Sequence, residues 1–316
     1  MTFPLNTMTL RVLSTLVCAT TLAACGGGGG TTATPDSVQA GLVTAKGGTT
    51  SSAPAALTPA VVDTTGSTNG VGGTVSAPLT PAAPVATPTG TLAVITDVRL
   101  QNTGAAVQTS VPVTFGQVFA VGHVKPTDVM VGRLEDNSVV ALQMDVKARH
   151  ADGSVRHAIF SAVIPTIAAN ATRTMSLAKN ATVTSVAAPV PADLLATGFT
   201  ASASATMAGV KYSASVEQLL KAGVKATWLA GSVANEWHVS APLTTDAGVA
   251  HPHLAARFAI RYYGGVKKAR VDVTIENDWA YEPGPTNFVY DAQVMVGGKS
   301  VYKKAGLNHY HHARWR

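Results

Sequence analysis

The chain has 316 residues, 46% of them hydrophobic and 13% charged, with a formal net charge of +6. That length is ample for stable cores, and so mild a basic bias, without a dense Lys/Arg stripe, argues against a nucleic-acid partner. The two cysteines, Cys18 and Cys25, both lie near the N-terminus, which excludes a disulfide framework in the body of the protein.

Residues 1–24 read as a lipoprotein signal peptide. Arg11 is their only charge, an apolar stretch runs from Val12 to Ala24, and Leu22-Ala23-Ala24 places small residues before Cys25. Ser14, Thr15, Thr20 and Thr21 interrupt the stretch, which falls short of the roughly 20 apolar residues that a spanning helix needs. Cleavage before Cys25 and acylation of that residue would hold the protein on a membrane by lipid alone. The expected location is therefore the cell envelope. Gly26 stands where an Asp would resemble an inner-membrane retention signal, which points to the outer membrane. Residues 25–90 contain no aromatic residue after Cys25 and only Asp36, Lys46 and Asp63 as charges. Such a Gly/Thr/Ala/Pro-rich segment cannot offset its chain entropy and is expected to be a disordered tether. A coil of about 65 residues spans roughly 40–50 Å.

Period-two alternation begins at Leu92, where Leu92, Val94, Val98 and Leu100 are expected on one face. Further strands are expected at Val111–Phe115, Val129–Leu134, Val139–Ala148, Val155–Ile164 and Thr172–Leu177. A break from Pro189 to Phe199 and a short helix at Val216–Ala222 follow. A second strand set covers Ala226–Ala230, Glu236–Ala241, Leu254–Tyr263, Arg270–Asn277, Asn287–Val296 and Ser300–Tyr310. In Arg270-Val271-Asp272-Val273-Thr274-Ile275-Glu276 the polar residues share a face expected to lie in water. Gly264-Gly265 and Gly297-Gly298 read as hairpin turns. The pattern predicts an all-β fold: a small antiparallel β-barrel over 91–185 and an antiparallel β-sandwich over 195–316.

The barrel segment carries Val111-Pro112-Val113-Thr114-Phe115-Gly116, then Val121-Gly122, Gln143, and Arg149-His150-Ala151-Asp152-Gly153-Ser154-Val155-Arg156-His157-Ala158. These motifs resemble the N-terminal barrel of the rhamnogalacturonan exolyase-like (YetA-like) family. The resemblance implies a barrel, a central sandwich and a C-terminal α/α toroid. Gln117-Val118 replaces a proline of the pattern, His150 an aromatic residue, and the toroid has no counterpart before Arg316. The ending, Asn308 to Arg316, reads like an interrupted strand and loop. It leaves open a longer gene or a natural stop. Asp152-Gly153-Ser154 is expected to close a hairpin rather than to perform chemistry.

The nine histidines concentrate in His251-Pro252-His253 and His309-Tyr310-His311-His312. On a strand, residues i and i+2 share a face, so His251 with His253, and His309 with His311, could each present two imidazoles to one metal. Pro252 argues against a regular interior strand, no carboxylate sits at ligand spacing, and the expectation is no cofactor, with a metal as the alternative. Uronate elimination needs a base and a charge stabiliser. Tyr281, Lys267, His309, Tyr310 and Arg314 have suitable groups, but no spacing joins them. Trp228, Trp237, Trp279 and Trp315 could stack on sugar rings or fill the core. Trp279, Trp237 and Tyr281 are the carbohydrate-binding candidates, with Trp279 placed at the end of a strand before a Gly/Pro loop. The expected function is noncatalytic binding or positioning of a polysaccharide, an acidic one where the basic clusters Lys267-Lys268-Arg270 and Lys303-Lys304 with Arg314 and Arg316 would meet it. The alternatives are a lyase or metal-dependent enzyme with its site in the sandwich, and a structural surface lipoprotein without a small ligand.

Overall fold

The computed structural model describes residues 12–13, 83–184, 186–278 and 283–316. Cys25, most of the tether, Trp279 and Tyr281 lie outside the described residues. The first module contains β1 (Val12–Leu13), β2 (Ala86–Gln101), β3 (Gln108–Val118), β4 (Val131–Leu134), β5 (Val139–Ala141), β6 (Gln143–Arg149), β7 (Val155–Ile167) and β8 (Thr172–Val183). A five-stranded sheet, β1-β2-β8-β4-β5, and a three-stranded sheet, β3-β7-β6, close into a barrel over one core. Alternation places Val111, Val113 and Phe115 of β3 and Ala158, Phe160, Ala162 and Ile164 of β7 inside. Phe160 lies at the centre, with Phe115 stacked at 5.8 Å and Phe119 edge-on at 6.0 Å.

Two expectations for this module change. Val94 is 45% exposed while Ile95 packs on the core, because a register shift between Val94 and Thr96 adds a residue and reverses the alternation. The expected single strand Val139–Ala148 divides at Leu142. Its first part belongs to one sheet and its second to the other, so this corner carries the chain across the barrel.

The second module opens with α1 (Pro191–Leu195), a turn of helix within the segment expected only to break the strand pattern. It continues through β9 (Ala201–Met207), β10 (Val210–Ser215), α2 (Val216–Ala222), β11 (Ala226–Leu229), β12 (Asn235–Thr244), β13 (Ala250–Tyr263), β14 (Lys268–Asn277), β15 (Phe288–Val296), β16 (Lys299–His309) and β17 (Ala313–Trp315). These form a nine-stranded antiparallel sheet, β16-β15-β9-β10-β12-β13-β14-β17, with β11 beside β12. The pairing of β10 with β12 is reduced to Ser213 opposite Thr244. The sheet folds over there, and its two halves enclose a sandwich core of Ala201, Ala203, Ala205, Val239, Phe258, Ile260 and Tyr290. The expected helix is α2, with Ser215 as its N-cap and Gly223 at φ 128° past its end.

Gly297 and Gly298 take the expected hairpin turn at φ 59° and 74°. Gly264 and Gly265 do not. They open a 3-10 turn within the longer 264–267 connection of the β13–β14 hairpin, where Lys267 adopts the left-handed conformation and a Cβ at Gly264 would stand a tight 3.1 Å from Pro189. The two modules grip each other through Gln143 of β6. Its Nε2 donates to Asp145 and to the Ala234 carbonyl at 2.7 and 2.8 Å, while its Oε1 accepts from the Val233 and Ala234 amides at 3.0 and 2.8 Å. Thr114 and Tyr263 add a hydroxyl pair at 2.6 Å, and Val163 packs on Val233 and Tyr263.

Candidate functional site

β11 is a short strand beside β12, and its register slips between Thr227 and Leu229. That slip lets Leu229 enter the interior while Trp228 turns out, 43% exposed. Trp228 stacks on His238 of β12 with ring centroids 6.4 Å apart and planes 16° from parallel. From the other module, Lys147 of β6 donates to the Trp228 carbonyl and holds its ammonium 4.1 Å from the indole centroid. The Asp145 carboxylate accepts from the Ala230 amide at 3.0 Å, pinning the same segment. An exposed indole thus sits at the seam, fixed from both modules.

Next to it, the outer face of β12, β13 and β14 is a lattice of ions. Glu236 accepts from Arg261 at 2.6 Å and faces His238 at 3.0 Å. Glu276 accepts from Nε and Nη2 of Arg257 at 3.0 and 3.2 Å and meets Arg314 of β17 at 3.2 Å. Bonds donated to Glu276 hold the Arg257 guanidinium above its ordinary pKa, and for Arg261 burial, the largest single effect, pulls the pKa down but is outweighed by the charges and hydrogen bonds of Glu236 and Tyr263 together. The expectation that this face of β14 lies in water holds at Arg270 but fails at Glu276, which is 6% exposed beneath the guanidinium groups. The sequence cluster of Lys303 and Lys304 with Arg314 and Arg316 lies on two strands, β16 and the β17 end, whose Tyr302 and Trp315 rings meet with centroids 4.8 Å apart.

Trp237 requires a correction. It is 4% exposed and packs beside Tyr262, because it shares its side of β12 with Val239 and the core, so no sugar ring can stack on it. Period two carried that signal: Trp237, Val239 and Ala241 form the apolar set, and Glu236, His238 and Ser240 the polar one. Trp228 is the exposed aromatic that the same rule could not find, because its strand slips register.

Three of the four candidate histidines, His251, His253 and His309, are buried, and His311 is half-buried. His251 Nδ1 accepts from the amides of His253 and Leu254 at 3.1 and 2.9 Å, and its ring meets Phe288 and Tyr212 edge-on. Burial, then the charge of His253, depress its pKa to about 4. His253 lies beside Phe288, with Nε2 3.2 Å from the Pro283 carbonyl oxygen. His309 has its Nδ1 at 2.9 Å from the Tyr290 hydroxyl and its Nε2 at 2.9 Å from the Ala313 carbonyl oxygen, so both nitrogens are engaged. His311 lies against His312 with ring centroids 3.8 Å apart and planes tilted by 43°, and among the described residues its Nε2 and the Asn277 Oδ1 are buried without a hydrogen-bond partner. The described residues contain no group of three or more His, Cys, Asp or Glu placed to hold a metal ion. Asp152 closes its hairpin as expected: it accepts from the Ser154 amide and hydroxyl at 3.0 and 2.6 Å, and these bonds hold its carboxyl below the usual range.

No protein-family model matches the sequence, and no curated protein matches it either. Its own residues present an exposed indole with a cation over it at the module seam, beside a sheet face rich in both donors and acceptors.

Proposed function

We propose that this protein is a lipid-anchored component of the cell envelope whose two β modules bind and position a polysaccharide without transforming it. The observation that carries the reading is Trp228, exposed and held in place by Lys147 and His238. A rigid indole provides apolar contact for the C–H face of a sugar, and Lys147 supplies a donor for its hydroxyls or carboxylates. Arg149 continues β6 away from the indole, so a polymer has further polar contacts on the barrel side. The likeness of the first module to the accessory barrel of a lyase-like family supports the same reading, and the signal-like segment before Cys25 supports the anchor.

The test is affinity electrophoresis of the full mature chain, with Cys25→Ser to keep it soluble, against a panel of envelope and plant polysaccharides. At least one polymer is expected to retard it, and Trp228→Ala should weaken that binding about tenfold with the melting temperature little changed. A panel without a binder, or a binder indifferent to Trp228, overturns the proposal. For the anchor, a palmitate analogue is expected to label the wild-type chain in cells and to leave Cys25→Ala unlabelled.

A further inference from the structure

The ion lattice on the second module is stratified. The acidic side chains lie low: Glu276 is 8% exposed, Asp272 26% and Asp278 29%. Of the five guanidinium groups only Arg261, 16% exposed on Glu236, lies low; Arg257 is 50% exposed, Arg270 60%, Arg314 64% and Arg316 70%. Solvent therefore meets cations whose counter-charges are underneath. Each guanidinium keeps donors to spare. Arg257 and Arg314 bond through Nε and Nη2, Arg270 and Arg316 through Nη2, and among the described residues no Nη1 of the four has a partner. The four belong to one face, because Arg257 pairs across with Thr274, Arg270 with Arg261, and Arg314 with Glu276 in an unbroken antiparallel register.

We propose that the outer face of β13, β14 and β17 docks on anionic lipid headgroups. Spare guanidinium donors on a broad sheet surface suit phosphate oxygens, which accept charge-assisted bonds in forked geometry. The inference rests on the anchor part of the proposed function, since an acyl-anchored chain reaches a surface for which a second, basic contact then adds to the lipid. The tether keeps the local concentration of headgroups high, so weak individual contacts suffice. It is independent of the polysaccharide reading, which rests on Trp228 at the seam.

The deciding experiment is sedimentation of the full mature Cys25→Ser chain with vesicles of phosphatidylglycerol and phosphatidylcholine, and with phosphatidylcholine alone, at rising salt. Binding is expected to the anionic vesicles only and to decline with salt. Arg270→Gln and Arg316→Gln should each weaken it about fivefold. Both side chains are well exposed, so their loss leaves the fold intact, which a melting curve checks. Lys303→Gln, on β16, should have no such effect. Failure to bind anionic vesicles, salt-insensitive binding, or an equal loss with Lys303→Gln overturns the proposal. So does a loss of polysaccharide binding in the arginine variants with vesicle binding unchanged, because the face would then belong to the sugar. Palmitate labelling of Cys25 in cells separates failure of the anchor reading from failure of this one, since the vesicle test uses the chain without its acyl group.

Discussion

Trp228 and Trp237 are nine positions apart and have opposite fates, which makes them a matched pair. Trp237→Ala should cost about 3–5 kcal/mol in chemical denaturation, since it empties a core position. Trp228→Ala should cost no more than about 1 kcal/mol while reducing the proposed polysaccharide binding, since a half-exposed ring gives up only its contacts with Lys147 and His238. His251 offers a second residue-scale test. Its pKa is held near 4 in the fold against an ordinary value of 6.5, so the unfolded chain takes up the proton first as pH falls. The stability contributed by neutral His251 is complete above about pH 6.5 and declines as the pH drops toward 4. Urea midpoints measured from pH 7 to 4 should show that decline. His251→Asn, whose side-chain oxygen can accept the same two amides, should flatten it.

At the scale of elements, the strands with β-branched and aromatic residues were legible, among them β3, β7, β13 and β14. β9 and β10 were not. Ala201-Ser202-Ala203-Ser204-Ala205 has neither the bulk nor the propensity that marks a strand, yet β9 lies between β10 and β15 with its alanines inside. The narrow space between the sandwich halves selects small side chains there. Ala203→Leu should therefore destabilise the protein by about 1–3 kcal/mol through overpacking, as read by thermal melting. The Ala208-Gly209 turn that joins β9 to β10 has φ 47° and 80°, and an alanine in that conformation gives no warning in the sequence. Of the candidate site, the paired histidines were visible as a pattern, but their role depended on partners far along the chain, such as Tyr290 for His309. The edge strand β16 carries Lys303 and Lys304 and shifts register twice against β15, features that discourage pairing with another edge.

Across the whole molecule, the two modules share one compact body. Sequence alternation located a core for each module but could not indicate Gln143 as the clasp, because a glutamine within a strand reads as an outward residue. Gln143→Leu removes its bonds to Asp145, Val233 and Ala234 and leaves backbone groups buried without partners. It should cost about 2–4 kcal/mol and divide a single calorimetric transition into two. Gly231 belongs to the same fit, since a Cβ there would strike the Gln143 carboxamide.

The approach of the chain to the body has a mechanical consequence. Ala83 and Pro84 line a cavity of about 170 Å³ with Val140, Val163, Val233 and Val266, drawn from both modules. Tension arriving along the preceding chain thus reaches the protein at its clasp, and pulls next on β2, whose 16 residues run antiparallel to β8. A load applied there would be shared by the Gln143 bonds and the β2–β8 ladder, so the junction of the modules would carry it before either core.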